Sequence, residues 1–227
     1  MKVEWLGHAA FLLEGKNRII VDPFLSGNPL AALKPTEVEC DIICVTHAHG
    51  DHFGDAVEIS KRNGAPIVAI YEVASAAEAK GAEVVGMNIG GSTKVGDTRI
   101  TMTNAIHSSC FVADGKVEAG GNPGGFVIDS GFKVYHSGDT ALFGDMGLIG
   151  ELYEPDLALL PIGDFYTMGI VEATKAVELL GTERIIPMHY NTFDVIRQDP
   201  GEFKDRVTRK TGSEAIILQP GESYALE

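Results

Sequence analysis

Thr46-His47-Ala48-His49-Gly50-Asp51-His52 directly follows the run Ile42-Ile43-Cys44-Val45. The apolar run is too short for a helix and rich in β-branched residues, so it reads as a buried strand whose end releases the histidines into a loop. Three of the chain's seven histidines fall here, and imidazole beside carboxylate is a metal-binding chemistry, not a core. In an extended segment residues two apart project the same way, which puts His47, His49 and Asp51 on one face and turns His52 elsewhere unless the loop curls. A site served from both directions predicts two divalent metal ions side by side.

Upstream, Lys2 to Leu6, Ala10 to Leu13 and Arg18 to Val21 read as antiparallel strands, with Glu14-Gly15-Lys16-Asn17 as a hairpin turn. His8, in Gly7-His8-Ala9, is either a plain turn histidine or part of the site wall. Asp22 closes the third strand ahead of Pro23, as a turn former or as an acceptor that fixes the metal loop. Ser26 to Pro35 is expected to be a loop or short helix edging a cleft.

Downstream, Asp55 to Asn63 has helical spacing and stops at Gly64, Pro66 to Ile70 is a short strand, and Glu72 to Lys80 is an alanine-rich helix before a strand at Glu83 to Val85. From Gly90 the grammar changes to hairpins, with strands at Lys94-Val95, Thr98 to Ile106, Gly125 to Asp129 and Phe132 to Tyr135. His107 follows one of them, and the long loop Ser108 to Gly124 is expected to border the site. His136 and Asp139 follow another strand beside Ser137 and Gly138, small residues that let the backbone come close to a ligand. His136 reads as structural or as a support for the ligands. The last third alternates again: strand Leu157 to Leu160, helix Ile170 to Leu180, strand Arg184 to Pro187 leading to His189, a helix around Gly201 to Lys210, and strands Ala215 to Leu218 and Ser223 to Leu226. The chain thus reads as two similar halves, whose sheets would bury each other face to face with helices outside.

Bulk properties narrow the function. The 227 residues fit one domain, 1–227, and a formal net charge of -14 argues against nucleic-acid binding, because an acidic surface repels phosphate. The odd count of three cysteines, Cys40, Cys44 and Cys110, has no CxxC spacing and fits buried thiols in a reducing compartment. Without a signal-peptide pattern or a bilayer-length apolar run, the expectation is a cytoplasmic protein that does not contact membrane and meets a small-molecule substrate. The pattern says nothing of self-association.

Taken together, His47-Ala48-His49-Gly50-Asp51-His52, then His107, Asp139 in Ser-Gly-Asp-Thr and His189 in Pro-Met-His-Tyr, resemble the metallo-β-lactamase superfamily and its His-x-His-x-Asp-His signature. The likeness runs from Asp22 to His189, and within the superfamily it is strongest to small metal-dependent hydrolases related to sugar-phosphate lactonases, which share the Gly-His-Ala turn. It implies an α/β (α+β) fold, a four-layer αββα sandwich of two mixed sheets with the site along one edge. It also implies that His47, His49 and His107 hold a first metal, that Asp51, His52 and His189 hold a second, and that Asp139 bridges them. Nitrogen-rich ligation suits zinc, while the carboxylates admit manganese or iron.

The implied reaction is hydrolysis of a small ester, lactone or phosphodiester by metal-bound hydroxide, with Asp51 as the catalytic residue that orients the hydroxide and passes on its proton. Two other classes compete: a metal-binding or ligand-sensing protein without turnover, and a redox di-iron protein. The redox members of the family place a glutamate where this chain has His49, and some lactamases place a cysteine where it has Asp139. Both departures point away from those activities.

Overall fold

The computed structural model describes residues 1–227. Its first half runs β1 (Lys2–Gly7), β2 (Ala10–Glu14), β3 (Arg18–Val21), β4 (Ile42–Val45), α1 (Gly50–Phe53), α2 (Ala56–Asn63), β5 (Ile67–Ile70), α3 (Tyr71–Ala79) and β6 (Val84–Met87). Its second half runs β7 (Ser92–Val95), β8 (Thr98–Asn104), β9 (Cys110–Ala113), β10 (Lys116–Ala119), β11 (Gly124–Asp129), β12 (Lys133–His136), α4 (Met146–Tyr153), β13 (Leu157–Pro161), α5 (Ile170–Leu180), β14 (Arg184–Met188), α6 (Pro200–Thr211), β15 (Glu214–Ala215) and β16 (Ser223–Ala225).

Two seven-stranded sheets result, ordered β16-β1-β2-β3-β4-β5-β6 and β15-β14-β13-β12-β11-β8-β7. Each is antiparallel at one end and parallel at the other: β3 to β6 pair in parallel, as do β12 to β15. This is the mixed-sheet, two-half architecture that the strand pattern implied. Parallel strands covered on both faces need continuous apolar sequence, and β4, β5 and β13 are buried at every position.

The sheets are tied across their interface as well as packed. His136 Nε2 donates to the Ala9 carbonyl at 2.9 Å, the Gly124 amide donates to the Thr46 carbonyl at 3.1 Å, and the Phe11 ring meets His136 edge-on. One cluster of 61 buried residues runs from Val3 to Leu226, so the two halves share a single apolar interior. No helix is long and apolar enough to cross a membrane.

Four segments differ from the expectation. The segment expected to edge the cleft, Ser26 to Pro35, is a run of turns whose Leu30 main chain lies under Gly7. The loop Ser108 to Gly124 carries its own hairpin, β9–β10. Helix α4 went unread because glycines at 147 and 150 dilute its pattern, although Met146, Ile149 and Gly150 keep helical spacing on its buried face. The strand expected over Ala215 to Leu218 shrinks to the two residues of β15.

Candidate metal centre

Every residue marked as a ligand lies just beyond a strand end on one edge of the paired sheets. Asp22 follows β3, His47 to His52 follow β4, His107 follows β8, Asp139 follows β12 and His189 follows β14. The β1–β2 turn adds His8 through a bulge between Trp5 and Gly7. At Gly7 the backbone takes φ +102°, and a Cβ there would press on the Leu30 carbonyl, so glycine is the residue that lets this turn close.

The extended-segment argument for His47 to His52 fails at Gly50. There the chain enters the single helical turn α1, which sets Asp51 and His52 beside His8 and His189 while keeping the His52 ring 4.1 Å from that of His47. Three overlapping donor groups result: His47, His49 and His107 on one side, His8, Asp51, His52 and His189 on the other, and His47, His52 and Asp139 joining them. Asp139 lies between them, its Oδ2 3.0 Å from His189 Nε2, 3.3 Å from His52 Nε2 and 3.6 Å from His107 Nε2.

Hydrogen bonds fix which nitrogen each imidazole turns inward. Asp22, wholly buried, accepts from the Thr46 amide at 2.8 Å, from Thr46 Oγ1 at 2.7 Å and from His52 Nδ1 at 2.7 Å. Because Thr46 spends its proton on Asp22, its oxygen accepts from His47 Nδ1 at 3.0 Å. Both His47 and His52 therefore donate from Nδ1 and turn Nε2 toward the centre, His47 with a lone pair and His52 toward the Asp139 carboxylate. A carboxylate that orients two ligands in this way also raises their basicity, and the alternative of Asp22 as a mere turn former falls away.

Electrostatics agree with this proton placement. Burial, reinforced by the neighbouring His52 charge, holds His47 well below the ordinary histidine value, and burial likewise lowers His49 and His107. Burial opposes charge on His52 too, yet Asp139 and Asp22 outweigh it and push His52 well above its usual value. For Asp139, burial favours the acid, but His189 and His52 hold the carboxyl far below its usual range. Without an ion, the cluster keeps a proton where a cation would sit.

Two buried polar atoms at this centre have no partner in the chain, His189 Nδ1 and Asp139 Oδ1, while His189 Nε2 and His52 Nε2 crowd on the single oxygen Asp139 Oδ2. Burying such groups unpaired costs about 1–3 kcal/mol each, and a divalent cation between them removes that cost. The donor set thus fits metal, with imidazole nitrogens and carboxylate oxygens as zinc, manganese and iron sites require.

His8 holds Asp51. Burial pushes its imidazole down to about 4, so it is neutral at pH 7 with a single ring proton. Asp51 stays ionised: burial raises its carboxyl, but the His8 hydrogen bond and the His52 charge carry it below the usual range. An ionised carboxylate only accepts, so His8 Nε2 donates to Asp51 Oδ2 at 3.1 Å, and Nδ1 accepts from Thr192 Oγ1 at 2.8 Å. Sequence reasoning left His8 open and passed over Thr192, for which the chain offers no local signal.

Other candidates fall outside the centre. Both nitrogens of His136 are used within the protein, on the Ala9 carbonyl and the Gly138 amide, so it fastens the two sheets. Gly138 gives room to the Gly124 carbonyl and Thr46, not to a ligand. Tyr190, although next to His189, is 3% exposed and stacks on Trp5. Cys40 and Cys44 are buried as expected.

A cavity of about 430 Å³ opens over the centre, walled by His49, Asp51, His107, Asp139 and His189 together with Ser108, Tyr166, Phe193 and Val195. A larger hollow of about 590 Å³ lies between the ends of α5 and α6, but no histidine or cysteine lines it, and the chemistry belongs to the smaller one.

Comparison with known proteins agrees with this geometry. The beta-lactamase superfamily domain matches residues 17–190. A UPF0173 metal-dependent hydrolase of Methanosarcina barkeri is 55% identical over 227 residues, 100% of this chain and 99% of that protein. One from Methanopyrus kandleri is 57% identical over 230 residues, 99% of each chain. A metallo hydrolase of the hyperthermophilic archaeon Ignicoccus hospitalis, of known structure, superposes with a TM-score of 0.88 at 41% identity, covering 100% of this chain and 99% of the other. With the family domain matching most of the chain and full-length relatives more than half identical to it, the chain belongs to the metallo-β-lactamase superfamily, among its UPF0173 metal-dependent hydrolases.

Proposed function

We propose that this hydrolase cleaves a small ester, lactone or phosphodiester with two divalent metal ions, zinc being the best match to the donors. The observation that carries the reading is the convergence of imidazole nitrogens and two carboxylates on one cavity floor. His47, His49 and His107 would hold the first ion and Asp51, His52 and His189 the second, with Asp139 within reach of both groups. When bound, such ions lower the pKa of a water toward about 7 and polarise the substrate oxygen.

The chain's own groups then order the reaction. Asp51, its side chain 31% exposed, reaches the cavity while His8 pins Oδ2, so the carboxylate orients the attacking water. From that position Asp51 relays the water's proton to the leaving oxygen. Water's oxygen bonds to the acyl carbon or phosphorus, the bond to the leaving oxygen breaks, and acid and alcohol depart.

Elemental analysis by mass spectrometry is expected to find about two ions per folded chain, and less than one would sink the reading. Chelation is expected to abolish turnover of p-nitrophenyl phosphodiesters, thioesters and lactones, and metal to restore it. Full metal content with no turnover of any of these would favour a sensor, and iron with visible absorbance a redox protein.

The His8 arrangement gives a further expected outcome. His8→Phe removes the donor to Asp51 and lowers affinity at the second ion by roughly 10–100-fold, the usual effect of losing such a support. The first ion, held by His47, His49 and His107, stays bound. Chelator competition that resolves two binding steps checks this.

A further inference from the structure

Four side chains wall the cavity above the donors: Ser108, Tyr166, Phe193 and Val195. Three of them bring apolar or aromatic surface, and each is held out into solvent, Tyr166 at 54%, Phe193 at 38% and Val195 at 53% exposure. Exposed apolar surface costs about 25 cal/mol per Å² relative to burial, so a rigid frame that holds it there is informative. The Asn191 amide donates to the Ile196 carbonyl at 2.9 Å, and Asn191 Oδ1 accepts from the Gln198 amide at 2.9 Å. Ile196 is wholly buried beneath. Phe193 also meets the His8 ring edge-on at 5.5 Å, and Tyr166 is set edge-on by Phe165 at 4.8 Å.

The same wall contains no lysine or arginine. Arg197, the cation nearest in sequence to this loop, is paired with Asp194 at 2.8 Å. The whole chain adds a formal charge of -14, a field that disfavours approach of anions. A cavity of about 430 Å³ is at the small end of ligand pockets, so the part of a substrate beyond its reacting bond must touch these side chains.

Resting on the hydrolase reading above, we propose that the substrate is an uncharged acyl ester or lactone bearing an apolar group, which packs on Tyr166, Phe193 and Val195. A carboxylate or second phosphate oxyanion at that position would exchange part of its hydration for apolar surface with no lysine or arginine in the wall to meet it, which disfavours it. Cleavage follows the balance already given: water's oxygen joins the acyl carbon and its proton leaves with the alcohol.

The test uses the metal-loaded full chain and a matched pair, p-nitrophenyl hexanoate and the p-nitrophenyl half-ester of adipate, which share a leaving group and differ in a terminal charge too distant for rapid ring closure onto the acyl carbon. The expected kcat/KM favours hexanoate by about tenfold or more. Phe193→Ala should raise KM for hexanoate more than for p-nitrophenyl acetate, and Val195→Lys should narrow the gap between hexanoate and the half-ester. Equal rates, or preference for the anion, overturn the assignment. Cleavage of bis(p-nitrophenyl) phosphate with neither ester cleaved also overturns it and leaves a metal-dependent hydrolase standing. No metal-dependent turnover of any of these compounds overturns the hydrolase reading itself.

Discussion

Asp139→Asn is expected to retain the fold and lose the activity. Asp139 Oδ2 is the one oxygen within 3.0–3.6 Å of imidazoles from both donor groups, and its carboxyl is 2% exposed. Asparagine fills the same space but brings no charge, and its amide hydrogens would face His52 or His189. Removing one partner from a buried charged pair costs about 3–5 kcal/mol, which corresponds to roughly 10²–10⁴ in metal affinity. Metal content should drop by at least one ion per chain, and turnover should fall with it. The residue lies on the loop beyond β12, so the far-ultraviolet circular dichroism should stay native. A variant that kept both ions and wild-type turnover would remove Asp139 from its bridging role.

The second large effect is expected at a residue that touches no metal. Asp22 takes three donors on two oxygens from a backbone at φ +46°, a conformation asparagine also tolerates. Asp22→Asn therefore isolates the loss of an acceptor. If the amide nitrogen faces His52, Nδ1 must become the acceptor and the ring proton moves to Nε2, blocking the lone pair that a metal needs. If the side chain turns over, the amide faces the Thr46 N–H and two donors oppose each other. Either way, a buried polar group is left unpaired at about 1–3 kcal/mol, and metal affinity falls roughly 10–100-fold. Denaturation of the metal-free protein and chelator competition measure the two effects separately. Unchanged values in both would mean that the Asp22–Thr46–His47 chain does not set the tautomers.

The metal-ligand candidates were legible in the sequence because they end apolar strands, and strand ends in a mixed two-sheet fold converge on one edge. His47, His49, His107, Asp139 and His189 meet there as their positions implied. The direction of His52 was not legible. A period-two argument assumes an extended chain, and the four residues of α1 are too few to leave a helical period. His8 needed the Gly7 turn and the ionised state of Asp51 before its role followed, and both are tertiary facts. The cavity wall was hidden for a similar reason: Phe193 and Val195 look like ordinary apolar residues until the loop bonds at Asn191 show them held outward.

The His8 arrangement also bears on when the centre comes into being. His8 and Thr192 are 184 positions apart, and the His8 carbonyl also receives the His189 amide. Contacts of such long sequence separation form late, because the entropy of closing the intervening chain must be met first. His47, His49 and His107 span a much shorter segment and can gather sooner. On the two-ion reading proposed above, the second site is therefore complete only once the chain's far ends have come together.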